Sequence, residues 1–284
     1  MKKAFSIIAI SALFFTSCSS GVEEETSNST PVPTAPSTPA PSTPGSTSGR
    51  FVKNVLIEDF TGTWCGYCPR VSYAIQSVLN QNITAIPVTV HRSSGTVTDP
   101  FHFQPANPLL SQMSITAYPT AMLDRKEKWT NEVTNTIQVK NLTGVNAQLG
   151  IAITSSIQNN TINMSVNTKF GANMSNLKLV VYVLENDLLY SQVNYTSYYG
   201  GASVIQNFDN DYVLRASLTN VLGDDIAGNT NAGNVFIKNF SLPVPSNISN
   251  VSKITFVAFI LDSAGKVINV RSAGPNVSQT FQEQ

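Results

Sequence analysis

The first periodic pattern begins at Phe51 and predicts a short α/β unit. The stretch VKNVLIEDF has the near-continuous apolar centre that is typical of a strand covered on both faces. Apolar residues then recur at helical spacing and indicate one buried helix face: Val71, Ala74, Ile75, Val78 and Leu79. The stretch TAIPVTVH follows as a second strand. Strand, helix and strand in this order predict a βαβ unit.

Further elements extend this unit to about residue 143. The stretch RSSGTVTDPFHFQPA is typical of a long loop. A helix is expected at NPLLSQMSI, with Asn107 as its N-cap and Pro108 at the first helical position. The stretch AYPTAMLDR supplies a strand that Pro119 opens, and another helix is expected near residues 131–142.

From about residue 148 the hydrophobic pattern changes to a period of two. One side of TINMSVNTKF is apolar, and KITFVAFILD has the composition of a fully buried strand. Similar stretches are LGIAITSSI, LKLVVYVLE, DYVLRASL, NVFIKNFSL and KVINVRS. About seven strands joined by Asn, Gly and Asp turns predict an all-β, immunoglobulin-like sandwich over residues 148–278.

The first fifty residues are of a different kind. Lys2 and Lys3 precede a short apolar run that ends in FTSC. This pattern resembles a bacterial lipoprotein signal peptide, residues 1–17, and an ordinary secretory signal is the alternative. The resemblance implies acylation of Cys18 and an anchor in the outer membrane of a Gram-negative cell, facing either side. Residues 18–50 are rich in Ser, Thr and Pro and are expected to form an extended tether.

Charge and composition exclude several classes of function. The chain has 17 basic and 17 acidic residues, which gives no electrostatic footprint for nucleic acid. After the first twenty residues, no segment approaches the roughly 18 apolar residues of a membrane-spanning helix. We find no glycine-rich phosphate loop, Ser-His-Asp arrangement or paired-carboxylate motif, so the sequence predicts neither a cofactor nor a metal.

The candidate chemistry lies in TGTWCGYCPR, residues 61–70, between the first strand and its helix. Cys65 and Cys68 have the Cys-x-x-Cys spacing that indicates a redox motif in a βαβ unit. Free N–H groups and the helix dipole favour negative charge there, so we expect the pKa of Cys65 to be lowered. If Cys18 is acylated, only this pair remains for thiol chemistry.

Residues 51–145 resemble a thioredoxin domain. Asp59 stands six residues before the first motif cysteine, Trp64 directly precedes that cysteine, and YPT at 118–120 resembles the loop whose cis-proline faces the sulfurs. The resemblance implies that Cys65 is the nucleophile, Cys68 the resolving thiol and Asp59 the proton acceptor. The stretch EDFTGTWCGYCP, with a β-rich C-terminal half, also resembles the Omp28-related outer membrane lipoproteins.

The thioredoxin resemblance also implies a binding site for an extended protein substrate beside Cys65. Its predicted residues are Trp64, Tyr67, Tyr118, Pro119 and Thr120. In two respects the chain departs from the family.

Residues before 51 cannot supply the extra strand and helix of a full thioredoxin. We therefore expect TAIPVTVH at the sheet edge, where Pro87 is tolerated. The lysine that thioredoxins place near the buried acid is also missing from this strand.

Three interpretations of the cysteine pair stay open. The main hypothesis is an envelope-anchored thiol–disulfide oxidoreductase or isomerase that acts on protein thiols and disulfides. The rival is a non-catalytic surface binding lipoprotein in which Cys65 and Cys68 form a structural disulfide. A metal site completed by His91 or His102 is the third. The tyrosine-rich loop 190–199 either binds an unknown partner or covers a neighbouring part of the protein.

Overall fold

The structure is a computed structural model that describes residues 50–284. The predicted signal peptide, Cys18 and nearly all of the predicted tether lie outside these residues. Within the described part of the chain, no helix is long and apolar enough to cross a membrane.

The predicted βαβ unit is present. After a short strand β1 (Phe51–Val52) come β2 (Val55–Thr61), α1 (Pro69–Asn80) and β3 (Ala85–His91). Strands β2 and β3 pair in parallel, and every residue of β2 is buried. The apolar stripe of α1 packs on the β2 face that carries Val55 and Ile57.

The rest of the N-terminal segment follows the sequence expectation with small shifts. Its elements are α2 (Asn107–Gln112), β4 (Thr120–Leu123), β5 (Glu127–Lys128), α3 (Thr136–Thr143) and β6 (Asn146–Ala147). Asn107 is not the N-cap of α2. A short 3₁₀ turn runs directly into the helix, so Ala106 takes the cap position and the Asn107 side chain instead accepts a hydrogen bond from Arg92.

The C-terminal segment is built of strands. They are β7 (Leu149–Gln158), β8 (Thr161–Phe170), β9 (Lys178–Glu185), β10 (Leu188–Val193), β11 (Val204–Asn210), β12 (Val213–Ser217), β13 (Asp224–Asp225), β14 (Val235–Pro243), β15 (Ile254–Leu261) and β16 (Val267–Ala273). The period-two pattern is confirmed in β8, where Ile162, Met164 and Val166 are buried and their neighbours are not. Strands β10 and β11 form a separate hairpin within the tyrosine-rich region, where the sequence had predicted a loop.

A nine-stranded mixed sheet joins the N-terminal and C-terminal segments. Its order is β16-β15-β9-β12-β3-β2-β4-β5, and β13 also pairs with β9. The predicted edge position of β3 is wrong, because β12 pairs with it in parallel at Thr89. The residue of β3 that pairs in register with β12 is Thr89, not Pro87. The missing N–H of Pro87 therefore leaves this pairing intact.

The predicted sandwich takes a different form. A three-stranded sheet, β14-β8-β7, does pack on a second layer, but strands β9, β15 and β16 of the central sheet supply that layer. Two small antiparallel pairs, β1-β6 and β10-β11, complete the strand pairing. The architecture is therefore mixed α/β, with one central mixed sheet and several smaller antiparallel sheets.

One hydrophobic cluster is shared by both segments. Residues of the N-terminal segment, among them Leu56, Phe60 and Val90, pack with residues of the C-terminal segment. The latter include Val180, Leu184, Leu214, Val257 and Phe259. The segments predicted as domains 51–145 and 148–278 thus have a sheet and a core in common.

A buried ionic network crosses the same boundary. Arg125 donates from Nε and Nη2 to the two carboxylate oxygens of Glu58, at 3.0 and 2.8 Å. Its Nη2 also donates to the Tyr182 hydroxyl at 2.8 Å, and its Nη1 to the Val221 carbonyl at 2.9 Å. Arg125, Glu58 and Tyr182 are all buried, so β2 is tied to β9 by charge-assisted hydrogen bonds away from water.

We expect residues 50–284 to unfold in one cooperative transition, because the two segments share the central sheet and the hydrophobic cluster packed between them. Both tryptophans of the chain, Trp64 and Trp129, lie in the N-terminal segment, whereas most strand residues lie in the C-terminal segment. Urea denaturation followed by tryptophan fluorescence and by far-ultraviolet circular dichroism should give coincident midpoints. Two separated midpoints would show independent domains.

Arg125→Met should destabilise the fold by about 3–5 kcal/mol, because it leaves the Glu58 carboxylate buried without its partner. Glu58→Gln combined with Arg125→Met should recover part of this loss. The control is Lys169→Met, which breaks an exposed pair with Glu283 and should cost less than about 1 kcal/mol. Chemical denaturation gives all three values, and equal losses for Arg125→Met and Lys169→Met would contradict the role of the network.

Candidate functional site

The cysteine motif lies in the turns between β2 and α1. Cys65 and Cys68 form a disulfide, with their Cα atoms 5.4 Å apart. Cys68 is the N-cap of α1, and its carbonyl accepts a hydrogen bond from Val71 N at 3.0 Å. Cys65 precedes this cap by one turn, and its own N–H donates to the Gly62 carbonyl. The motif therefore sits at the N-terminus of the helix, as the sequence predicted.

Both cysteines are covered. Cys68 is 1% exposed and Cys65 is 4% exposed. The sequence places the pair at the N-terminus of the helix. It gave no reason to expect that the first cysteine would also be shielded from solvent.

The cover is the tyrosine-rich segment 190–199, which we call the strap. Its backbone N–H groups at Val193 and Tyr195 donate to the carbonyls of Thr63 and Gly66, at 2.9 and 2.7 Å. The side-chain amide of Gln192 donates to the Cys65 carbonyl at 3.0 Å. The strap thus follows the motif backbone from residue 63 to residue 66.

Tyrosine rings hold the strap against the motif and α1. The Tyr195 ring packs edge to face with Tyr67, with ring centres 5.6 Å apart. Tyr198 stacks on Tyr73 of α1 at 4.4 Å.

Burial, with Tyr73 close by, raises the pKa of Tyr199 to about 12. Of the two roles the sequence left open for this loop, covering a neighbouring part of the protein is the one seen here.

Asp59 lies in the middle of β2, on the face that carries Val55 and Ile57. It is 0% exposed, and within the described residues neither carboxylate oxygen has a hydrogen-bond partner. Burial raises the pKa of Asp59 well above its ordinary value, and the negative charge of Glu132 raises it further, while Arg70 opposes the shift. Such a carboxyl holds its proton at a pH where an exposed aspartate has lost it.

Arg70 and Glu132 form a pair near Asp59 that the sequence did not reveal. Arg70 Nε lies 3.4 Å from Glu132 Oε2, so the Arg70 side chain is paired. Both residues line an open pocket of about 430 Å³. Glu132 precedes α3 and carries no spacing signal that links it to the motif, so only the fold brings it to this place.

A second buried carboxylate fixes the loop before the motif. Asp99 Oδ2 accepts a hydrogen bond from Thr63 N at 2.7 Å and contacts His91 Nδ1 at 3.1 Å. Burial acts to raise the pKa of Asp99, but the bonds from His91 and Thr63 outweigh it and lower the pKa. His102 Nδ1 accepts a hydrogen bond from Ser93 N. Nδ1 of each histidine is thus engaged within the loop that follows β3.

The predicted substrate-binding residues lie around the motif. The peptide bond between Tyr118 and Pro119 is cis. The Tyr118 ring packs edge to face on Trp64, with ring centres 5.6 Å apart, and Trp64 Nε1 donates to the Arg92 carbonyl. Thr120 is buried next to Pro119, whereas Tyr67 is 55% exposed. Their binding of a substrate stays a prediction.

Asp59→Asn should stabilise the protein at alkaline pH. Because the pKa of Asp59 is raised in the folded protein, its neutral form stabilises the fold. This contribution is fully present below the unfolded-state pKa of 3.8. This stability is lost as the pH rises through the folded-state pKa. The amide cannot ionise, so at pH 8 the variant should exceed the wild type by on the order of 1 kcal/mol. At pH 4 the difference should vanish.

Thermal unfolding of both proteins at the two pH values would test this expectation. Asp225→Asn, which changes an exposed carboxyl, is the matched control and should have little effect at either pH. A variant at Asp59 that is less stable than the wild type at pH 8 would contradict the assignment.

Comparison with known proteins identifies the family. A family model described as "Outer membrane protein Omp28" matches residues 106–279, more than half of the chain but not the cysteine motif. No curated protein matches the chain at a significant level.

Two solved structures from Porphyromonas gingivalis are similar. HBP35 is 19% identical, covers 82% of this chain and 80% of its own, and superposes with a TM-score of 0.57, which indicates a shared fold. A domain of the outer membrane lipoprotein Omp28 is 17% identical, covers 46% of this chain and 89% of its own, and has a TM-score of 0.30. The family and the outer-membrane location predicted from the sequence are confirmed: the chain belongs to the outer membrane protein Omp28 family.

Proposed function

We propose that the protein is an outer-membrane-anchored thiol–disulfide oxidoreductase or isomerase that acts on protein disulfides through Cys65 and Cys68. The observation that carries the proposal is Asp59. A fully buried carboxyl without a hydrogen-bond partner destabilises a fold, so its presence calls for a functional reason. A proton acceptor for the resolving cysteine supplies one.

The first step of exchange uses the reduced motif. The Cys65 thiolate attacks one sulfur of a protein disulfide, the disulfide bond of the partner breaks, and its other sulfur leaves as a thiolate. This step joins Cys65 to the partner as a mixed disulfide. The position of the motif at the N-terminus of α1 favours the thiolate that is needed here.

The second step releases the partner. Cys68 gives its proton to the ionised form of Asp59, whose raised pKa makes it a stronger base than an exposed carboxylate. Cys68 then attacks the Cys65 sulfur, which forms the Cys65–Cys68 disulfide and frees the second partner thiolate. Two electrons have then passed from the motif to the partner. A dithiol reductant returns the motif to its starting state by the reverse sequence. In isomerisation the partner's own thiol attacks the mixed disulfide instead, with no net transfer of electrons.

The surroundings of the motif support this assignment. Trp64 and Tyr118 pack together beside it, Tyr67 is exposed next to Cys68, and Pro119 and Thr120 complete the candidate binding loop. Acylation of Cys18 would anchor the protein, and residues 18–50 would hold the reactive part away from the membrane.

A second function is favoured by one observation, the burial of both cysteines under the strap. In this alternative the protein is a non-catalytic binding lipoprotein, and the Cys65–Cys68 disulfide only stabilises the turn on which the strap rests. The two functions differ in the chemistry of the disulfide, which can be measured without knowing the natural partner.

Cys68→Ala should trap partner proteins as mixed disulfides, because the resolving thiol is missing, whereas Cys65→Ala should trap none. The disulfides would be detected in cell-envelope extracts by non-reducing electrophoresis. Equal trapping by both variants, or none by either, would contradict the assigned roles.

The reduction potential of the pair separates the catalyst from its rival. For a working exchange centre we expect a value of about −270 to −120 mV, whereas a structural disulfide lies below about −300 mV. Equilibration in dithiothreitol and glutathione buffers, followed by Trp64 fluorescence, would give the value. A pair that stays oxidised down to the structural range would favour the binding lipoprotein.

A further inference from the structure

The strap contacts the motif in the manner of a bound peptide. Its backbone donates two hydrogen bonds to the motif loop, at Thr63 and Gly66, and runs directly over the residues that flank Cys65. An extended protein substrate reaches such an edge by the same type of backbone contact. In the observed state, therefore, the strap occupies space that a protein partner of Cys65 would need.

The contact between Gly66 and Tyr195 is close-fitting. A Cβ atom added at Gly66 would lie 2.2 Å from Cδ2 of the Tyr195 ring, far inside van der Waals contact. The ring therefore rests on the backbone of the motif, and it does so only because residue 66 has no side chain. Tyr195 is nevertheless 65% exposed, so its ring is not locked within the core.

Little of the protein would have to move for the strap to open. The hairpin β10-β11 pairs only with itself and is not part of the nine-stranded sheet. The strap ends at Tyr199 and is followed by Gly200 and Gly201, and all three residues have positive φ angles. Glycine adopts this region without strain, so the two glycines provide a natural hinge.

We propose that the strap is a gate over the Cys65–Cys68 disulfide and that Tyr195, seated on Gly66, is its latch. The closed gate excludes protein thiols and disulfides from Cys65, and opening admits them. This inference rests on the proposed function, because a cover is a gate only if the disulfide beneath it reacts with proteins. It adds Gly66 and Tyr195 as residues that determine which partners reach the motif.

The first test measures how fast the disulfide of the folded protein is reduced. With reduced thioredoxin, a protein dithiol, Tyr195→Ala should be reduced about tenfold faster than the wild type, because the open state is more populated. With dithiothreitol, which is small, the increase should be clearly less. Equal increases with both reductants, or none with thioredoxin, would overturn the gate.

Tyr190→Ala is the matched control. Tyr190 is an exposed tyrosine of the same hairpin, and its ring contacts Phe101 instead of the motif. Its reduction rate should stay within about twofold of the wild type. Circular dichroism would establish that both variants are folded. If Tyr190→Ala accelerated reduction as much as Tyr195→Ala, the latch assignment would fail.

A double-mutant cycle tests the contact itself. Gly66→Ala should also accelerate reduction by thioredoxin, because its methyl group displaces the Tyr195 ring. In the Tyr195→Ala background the same substitution should have a much smaller effect, since no ring remains to be displaced. Additive effects would show that Gly66 acts through the motif alone and would contradict the proposal.

Turnover of insulin disulfides separates the gate from the function on which it rests. If the disulfide of Tyr195→Ala is reduced faster but no variant turns over insulin, the proposed exchange function is contradicted and the strap only covers the disulfide. If the wild type turns over insulin and Tyr195→Ala does not increase this turnover, the exchange function is supported and the gate is contradicted.

Discussion

The rest of the structure depends on the hydrogen bonds that the buried guanidinium of Arg125 donates. The guanidinium draws together the carboxylate of Glu58 on β2, the hydroxyl of Tyr182 on β9 and the carbonyl of Val221. A charge so far from water is stable only when all of these partners are in place. The strand that precedes the cysteine motif is thereby fixed relative to β9, the strand from which the tyrosine hairpin departs.

Two adjacent carboxylates of β2 show how one strand serves two purposes. Glu58 faces Arg125, has both oxygens paired and holds the sheet together. Asp59 faces the helix that carries the cysteines and has no partner among the described residues. Alternation along a strand places neighbouring side chains on opposite faces, so an acid in a buried ion pair and a buried acid beneath the helix can be consecutive in sequence.

The local part of the fold and the centre of the candidate site were predictable from the sequence. Short-range periodicity predicted β2, α1, β3 and most C-terminal strands. The Cys-x-x-Cys spacing indicated the motif, and the resemblance to thioredoxin indicated Asp59 and Pro119 as its neighbours. What failed was the long-range assembly. The Thr89 hydroxyl on β3 donates a hydrogen bond to the carbonyl of Asp211, which lies 122 residues away along the chain. No local sequence pattern predicts such a contact. The strap was missed as structure because its polar and aromatic residues do not alternate regularly.

The hairpin that carries the strap leaves and re-enters the central sheet at neighbouring strands. Glu185 at the end of β9 is paired with Val213 at the start of β12. Strands β10 and β11 therefore lie in the connection between two paired strands, where a short turn would be enough. In topological terms it is an insertion into a β-hairpin connection. Its length and its aromatic content can therefore vary independently of the sheet, the shared core and the ionic network. The scaffold and the accessibility of its disulfide are thus encoded in separate parts of the chain.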